Sequence, residues 1–348
     1  MKIRLGLLLF LVAAVGLWPA LGRGQTRDAQ AYKWYEQGRQ DLNRQEYPKA
    51  IAAFNQAILH QANFAEAYLY RGLARAGERE YDRAIDDYTR ALDFKSSLNE
   101  AYRYRGKAYA AIGRPDRAVE DYTRLLSQAP QDEDASRHRG SAHAQMDQWD
   151  QAIADFTQAI ALNPKNAETY YNRGVARDRA GQRPQAVEDY SQAISLNPDD
   201  FNSYLNRGIA HGHLKQDDNA LADYSKAIAL KSTRPDLYFQ RGLIHARGGR
   251  YDAAIEDLSQ ALSLDPNNSQ AYNQRGTAHR KKGQVEKALE DHNRAIELAA
   301  TSGEGYYFRG QAFFDQGQKE KARQDFQKAC ALGIAEGCRG VKLLEKQQ

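Results

Sequence analysis

The sequence predicts an all-α fold, a row of nine helical hairpins closed by a short capping helix, and three observations carry that reading. Glycine returns every 34 residues, at Gly38, Gly72, Gly106, Gly140, Gly174, Gly208, Gly242, Gly276 and Gly310, and arginine precedes all but the first. Alanine keeps the same interval at Ala50, Ala84, Ala118, Ala152, Ala186, Ala220, Ala254, Ala288 and Ala322. Only 9 prolines occur in 348 residues, few enough to leave long helical stretches intact. The units are then 31–64, 65–98, 99–132, 133–166, 167–200, 201–234, 235–268, 269–302 and 303–336, and they leave no room for a separate catalytic domain.

Ahead of the repeats, Met1–Arg4 carries two cations, Leu5–Trp18 is a 14-residue uncharged run, and Pro19–Gly22 supplies small residues. That order is expected of a secretory signal, 1–22, followed by a short linker, 23–30. The run falls short of the roughly 20 residues that span a bilayer. The chain is therefore expected to be exported, periplasmic or secreted. An uncleaved N-terminal segment would be the only membrane attachment, because no long apolar run follows residue 30. The 49 basic and 45 acidic residues give a net charge of +4, and losing Lys2 and Arg4 lowers even that, so no general nucleic-acid footprint exists.

Within each unit, with the recurrent glycine at position 8, position 4 is aromatic except at Ser136, and position 24 is a ring except at Leu258. Positions 4, 8 and 11 share one helix face and 20, 24 and 27 another, so each unit holds two amphipathic helices. Gly113, Gly181, Gly249, Gly283 and Gly317 mark the turn between them, and Asp82, Asp116, Asp150, Asp218 and Asp252 suit the start of the second helix. Proline closes several units, at Pro130, Pro164, Pro198 and Pro266. The small residues at 8 and 20 let the two backbones approach. One hairpin cannot bury its own apolar face, but stacked neighbours can.

On these residues the chain resembles tetratricopeptide repeat proteins over residues 31–336. The resemblance implies a right-handed α-α superhelix, or solenoid, whose concave face binds peptide segments. Two departures from the family pattern are informative. Position 7 is arginine and position 23 aspartate in units 2 to 9, while the first unit has Gln37 and Ala53. The two charges appear and vanish together, which predicts an ion pair inside each unit, as between Arg173 and Asp189 or Arg207 and Asp223. Position 11 is His143, His211, His245 or His279 in four units and Arg75 or Arg177 in two others. Equivalent slots one helix spacing apart, roughly 8–10 Å, cannot converge on one metal ion, so packing or hydrogen bonding is the expected role. No catalytic grouping, cofactor loop or metal motif is present in the sequence.

Positions 2, 5, 9 and 12 line the concave surface in this family. The lysines and asparagines with which its chaperone-binding branch clamps a C-terminal carboxylate are missing, and position 2 is mostly acidic. In units 5 to 7 the stripe turns apolar, with Tyr171, Val175, Leu205, Ile209, Phe239 and Leu243. Such a stripe is either a binding patch or an extension of the core. Arg103, Lys107 and Arg137 form a basic cluster before it, suited to the acidic end of a peptide.

Cys330 and Cys338 are the only cysteines, and Gly333 between them should end the last hairpin. An even count in an exported chain suggests a disulfide, and the segment resembles the cysteine pairs of Sel1-like repeats. Its expected work is to pin a capping helix in the tail, 337–348; the alternative, a redox pair, lacks Cys-x-x-Cys spacing. The sequence thus points to a non-enzymatic exported solenoid with a protein or peptide partner. An envelope assembly scaffold using its convex face or edges, or a carbohydrate-binding accessory solenoid, are the alternatives.

Overall fold

The computed structural model describes residues 20–231 and 233–345. They fold as α-helices joined by short turns, with no strand among them, in two compact units divided between Asn163 and Pro164. The first contains α1 (Ala20–Asn43), α2 (Tyr47–His60), α3 (Ala65–Gly77), α4 (Tyr81–Phe94), α5 (Asn99–Ala111), α6 (Pro115–Gln128), α7 (Glu133–Gln145) and α8 (Trp149–Leu162). The second contains α9 (Ala167–Arg179), α10 (Arg183–Leu196), α11 (Phe201–His213), α12 (Asp217–Leu230), α13 (Pro235–Arg247) and α14 (Tyr251–Leu264). It continues with α15 (Ser269–Lys281), α16 (Val285–Leu298), α17 (Gly303–Asp315), α18 (Lys319–Ala331) and α19 (Ala335–Glu345). Each odd-numbered helix up to α17 pairs with the next as one hairpin.

Most of the expected signal, residues 1–19, lies outside the described residues. Residues 23–30, expected as a linker, are instead helical and continue α1 without a break; the stretch holds no proline, and Gly24 weakens a helix without ending it. No helix among the described residues is long and apolar enough to cross a membrane.

Close approach explains the repeated small residues. All nine position-20 alanines are fully buried. A methyl group added at Gly174 would come within 2.7 Å of the Tyr190 ring, so position 8 has no room for a side chain. Gly174→Ala should therefore cost about 1–3 kcal/mol by overpacking, despite alanine's better helix propensity, and a denaturant melt would measure it.

The turn between the two helices places position 15 in the left-handed region. Gly181 there has φ +80°, yet Gln45, Arg79, Asp147 and Lys215 adopt φ of 57–63° at the same slot. The register of the hairpin imposes the conformation, and glycine only adopts it more cheaply. The aspartates at position 18 lie in the first turns of their helices and do not cap them by side chain. Side-chain caps occur at the first helices instead, where Asp132, Asn166, Asp200 and Asn268 accept bonds from Ala135, Thr169, Ser203 and Ala271 backbone N–H groups.

At the C-terminus Cys330 and Cys338 are joined by a disulfide, with Cα atoms 4.7 Å apart. It fastens α19 onto α18, where Leu344 is buried with Phe326 and where Gly337 and Gly340 bring the backbone against Ala329 and Phe326. Replacing both cysteines with serine should lower the stability of this end by about 2–3 kcal/mol on the chain-entropy estimate. Amide hydrogen exchange would show it as faster exchange in α19 than in α15 or α17.

Candidate interaction groove

The scaffold charges are spent inside the hairpins. In units 2 to 9 the position-7 arginine donates from Nε and Nη2 to the position-23 carboxylate, at 2.8–3.0 Å and 2.6–2.8 Å. The remaining nitrogen, Nη1, crosses to the preceding repeat. It donates to Asn55, Thr89, Thr123, Ser191, Ser225, Ser259 and Asn293 from Arg71, Arg105, Arg139, Arg207, Arg241, Arg275 and Arg309 respectively. Those acceptors all stand at position 25, a periodic polar slot that pattern reading for apolar residues passes over. The guanidinium also lies over the position-4 ring, 5.7 Å from its centre for Arg173 and Tyr170 and for Arg207 and Tyr204. One arginine therefore ties together two helices and two repeats. Its bonds to Asp257 and Asp291 hold the guanidinium groups of Arg241 and Arg275 above their usual range.

Position 11 adds a second group beside the same aspartate. Arg75 and Arg177 reach Asp87 and Asp189 at 2.9 Å, while His143, His211 and His245 stand 3.7–3.9 Å from theirs. The Nδ1 atoms of His143, His211 and His279 are engaged by Gln148, Gln216 and Gln284 at 2.6–2.7 Å. His245 has Arg250 at that place, and its buried Nδ1 has no partner. Among the described residues no cluster of histidine, cysteine or carboxylate side chains is arranged for a metal ion.

The basic cluster expected at Arg103, Lys107 and Arg137 is not a free cationic surface. Asp134 lies 3.8 Å from Arg103, 3.2 Å from Lys107 and 2.6 Å from Arg137, and Arg103 also pairs with Asp132. The start of α7 lies beside α5, so Asp132 and Asp134 neutralise the cations that precede them. Burial alone would raise the Asp134 carboxyl, but His138, Lys107 and Arg137 together hold it below the ordinary range. Burial pulls His138 down to about 4, against the opposing pull of Asp134 at 3.2 Å.

In the second compact unit the apolar stripe is neither core nor open surface. Tyr171, Val175, Leu205, Ile209, Phe239 and Leu243 are all half-buried. The position-5 members lean inward: the Tyr171 ring lies 6.0 Å from Tyr190, and Leu205 and Phe239 pack against core clusters. Burial raises the Tyr171 phenol, whose oxygen accepts a bond from Asn206 Nδ2 at 3.0 Å. Of the position-9 members, Ile209 packs against the same core cluster as Leu205 and also borders open space, as Val175 does. Val175 and Ile209 line a cleft of about 430 Å³ between α9 and α11, with Asn206, Tyr190, Asp178, Arg179, Arg183 and His213. Arg183 is paired with Asp178 at 3.1 Å.

Family models described as tetratricopeptide repeat match residues 35–99, 99–132, 167–200, 201–234, 269–301 and 303–333, and a TPR repeat model matches 140–181 and 246–283. The chain is a tetratricopeptide repeat protein. Its solenoid is similar to the C-terminal part of a TPR repeat-containing protein from Cytophaga hutchinsonii, with TM-score 0.61 and 18% identity over 69% of this chain and 98% of that one. That likeness is one of fold. It is also similar to MamA (TM-score 0.46, 28% identity, 46% of this chain and 94% of that one). For YrrB, described as a TPR protein with an unusual peptide-binding site, the values are 0.48, 21%, 54% and 97%. No curated protein matches the sequence.

Membership of this family makes the chain a protein-interaction module, and the repeat frame sorts its residues. Positions 4, 7, 8, 20, 23, 24 and 25 build the TPR scaffold, and positions 6, 9 and 13 vary and meet the cleft. Asn206, Arg179 and His213 stand at positions 6 and 13, outside the apolar stripe, and nothing in its periodicity marks them. A second cleft, of about 460 Å³, is lined by Tyr307, Gln311 and Phe314 of α17, Arg280 of α15, and Arg339 and Leu343 of α19.

Proposed function

We propose that this tetratricopeptide repeat protein is an exported, non-enzymatic module that holds an extended segment of a partner protein along α9, α11 and α13. The observation that carries the reading is the contrast between positions. Scaffold alanines are wholly buried, whereas Val175 and Ile209 border a cleft wide enough for side chains of another chain. The apolar side chains in such a cleft bind through area removed from water, at about 25 cal/mol per Å² before the cost of ordering the ligand, and its polar lining adds hydrogen-bonding partners. Export rests on the charged, apolar and small-residue order of residues 1–22.

A photo-reactive residue at position 209, with a matched one at the exposed Lys226 on α12, tests the groove in cells. A discrete adduct from 209 alone is expected. Equal adducts from both sites would favour an assembly scaffold that uses its outer face. The mass of the crosslinked chain tests export in the same sample, since a processed protein lacks residues 1–22.

A further inference from the structure

We infer that the groove of α9, α11, α13 and α15 selects an extended polypeptide in which apolar and acidic side chains alternate; this rests on the groove reading above and adds the partner's chemistry. The inference comes from a row that the scaffold does not require. Position 13 is Arg179, His213, Arg247 and Lys281 in these four units, but Asn43, Gly77, Ala111 and Gln145 in the first four and Asp315 in the ninth. A helix dipole favours a cation at any of the nine C-termini, so the dipole alone does not explain a run confined to four consecutive units.

The row is placed for contact. Arg179 and His213 line the same cleft as Val175 and Ile209, where Asp178 is already paired with Arg183, and repeat symmetry puts Arg247 beside Leu243 and Lys281 beside Thr277. Arg179, His213 and Lys281 are exposed and form no ion pair among the described residues, while Arg247 is held by Asp217 at 3.1 Å. At the other end of the same helices position 2 alternates between acid and amide, as Glu168, Asn202, Asp236 and Gln270. The groove therefore sets the apolar side chains of Val175 and Ile209 in a largely polar lining, with the cationic row of position 13 along one side. An extended strand sends successive side chains to opposite faces, so alternation of apolar and acidic residues sets the first against those apolar side chains and turns the second toward the cationic row. The self-neutralised cluster at Arg103, Lys107 and Arg137 in the first unit offers such a segment no free cation.

The test uses the full processed chain and three fluorescein-labelled peptides of about twelve residues: alternating leucine and aspartate, leucine and asparagine, and serine and aspartate. Anisotropy at low salt is expected to show the leucine–aspartate peptide bound about tenfold more tightly than the asparagine one, with the gap closing as salt rises. The serine peptide should bind weakest. Arg179→Gln with Lys281→Gln should abolish the difference between the leucine–aspartate and leucine–asparagine peptides, whereas Ile209→Glu should weaken both leucine peptides. Equal affinity for aspartate and asparagine peptides, both lost in Ile209→Glu, would overturn the charge inference and leave the groove reading standing. Absence of binding by either leucine peptide, or binding indifferent to Ile209→Glu, would overturn both.

Discussion

Asp189→Ala should destabilise the second compact unit by about 2–4 kcal/mol, because it leaves two partly buried arginines without their shared counter-ion. Asp189 is 3% exposed at its side chain and receives bonds from Arg173 at 2.7 Å and 3.0 Å and from Arg177 at 2.9 Å. Neither arginine has another carboxylate at position 23 within its hairpin. The pair as a whole is worth far less than this cost, since desolvation offsets most of the attraction. Arg173→Met combined with Asp189→Leu is therefore expected to recover most of the lost stability, and a double-mutant cycle from urea midpoints would quantify the coupling. A coupling energy of zero would mean that the two side chains act independently. Because repeat arrays unfold partly by neighbourhood, hydrogen exchange should locate the damage in α9 and α10 first.

Acid should weaken the protein through His292, and His292→Phe should remove that sensitivity. His292 occupies the position-24 ring slot, is fully buried, and stacks on Phe308 with ring centres 5.8 Å apart. Burial, aided by the nearby charges of Arg280 and Arg309, pulls its imidazole down to about 3. In the unfolded chain it titrates near its ordinary value of about 6.5. Above that pH neither state binds the proton and the residue adds no pH dependence. As pH falls from about 6.5 toward about 3, only the unfolded chain takes the proton, so stability drops by roughly 1.4 kcal/mol per pH unit. Phenylalanine, already present at this slot as Phe54, Phe156 and Phe326, fits the space but leaves the buried Asn273 carbonyl without His292 Nδ1, now 3.3 Å away. The variant should thus be about 1–2 kcal/mol less stable at pH 7 and the more stable of the two near pH 4. Urea midpoints from pH 7.5 to pH 4 would show the two curves crossing; parallel curves would refute the assignment. His138 contributes a slope of the same sign down to about 4, and it should persist in the variant.

The scaffold was legible in the sequence because every hairpin solves the same packing problem with the same residues. Gly174 against Tyr190, the buried Ala186, and Arg173 opposite Asp189 follow from a spacing that repeats whatever the ligand. The register of the arginine's third bond was also written there, in Thr89, Thr123 and Ser191, but a polar slot carries no signal until its donor is placed. The groove was harder to read. Arg103 and Lys107 look like a free basic patch along one helix, and only the neighbouring helix brings Asp132 and Asp134 to them. The half-burial of Leu205 and the open side of Ile209 likewise depend on how far adjacent first helices stand apart, which no periodicity within one helix encodes.

The bond from the position-7 arginine to position 25 of the repeat before it recurs within each compact unit and makes the repeats it joins interchangeable parts. Each one brings a donor at one edge and an acceptor at the other. If residues 201–234 were excised, Arg241 would inherit the place of Arg207 and meet Ser191, and a duplicated copy would supply its own donor and its own acceptor. The first and ninth units differ: the first carries Gln37 in place of the donor, and beyond the acceptor slot of the ninth, Gln327, the position-7 spacing falls on Leu343. A gene built this way can lengthen or shorten its product by whole units of 34 codons from the middle, and change how much partner it grasps, without redesigning a single joint.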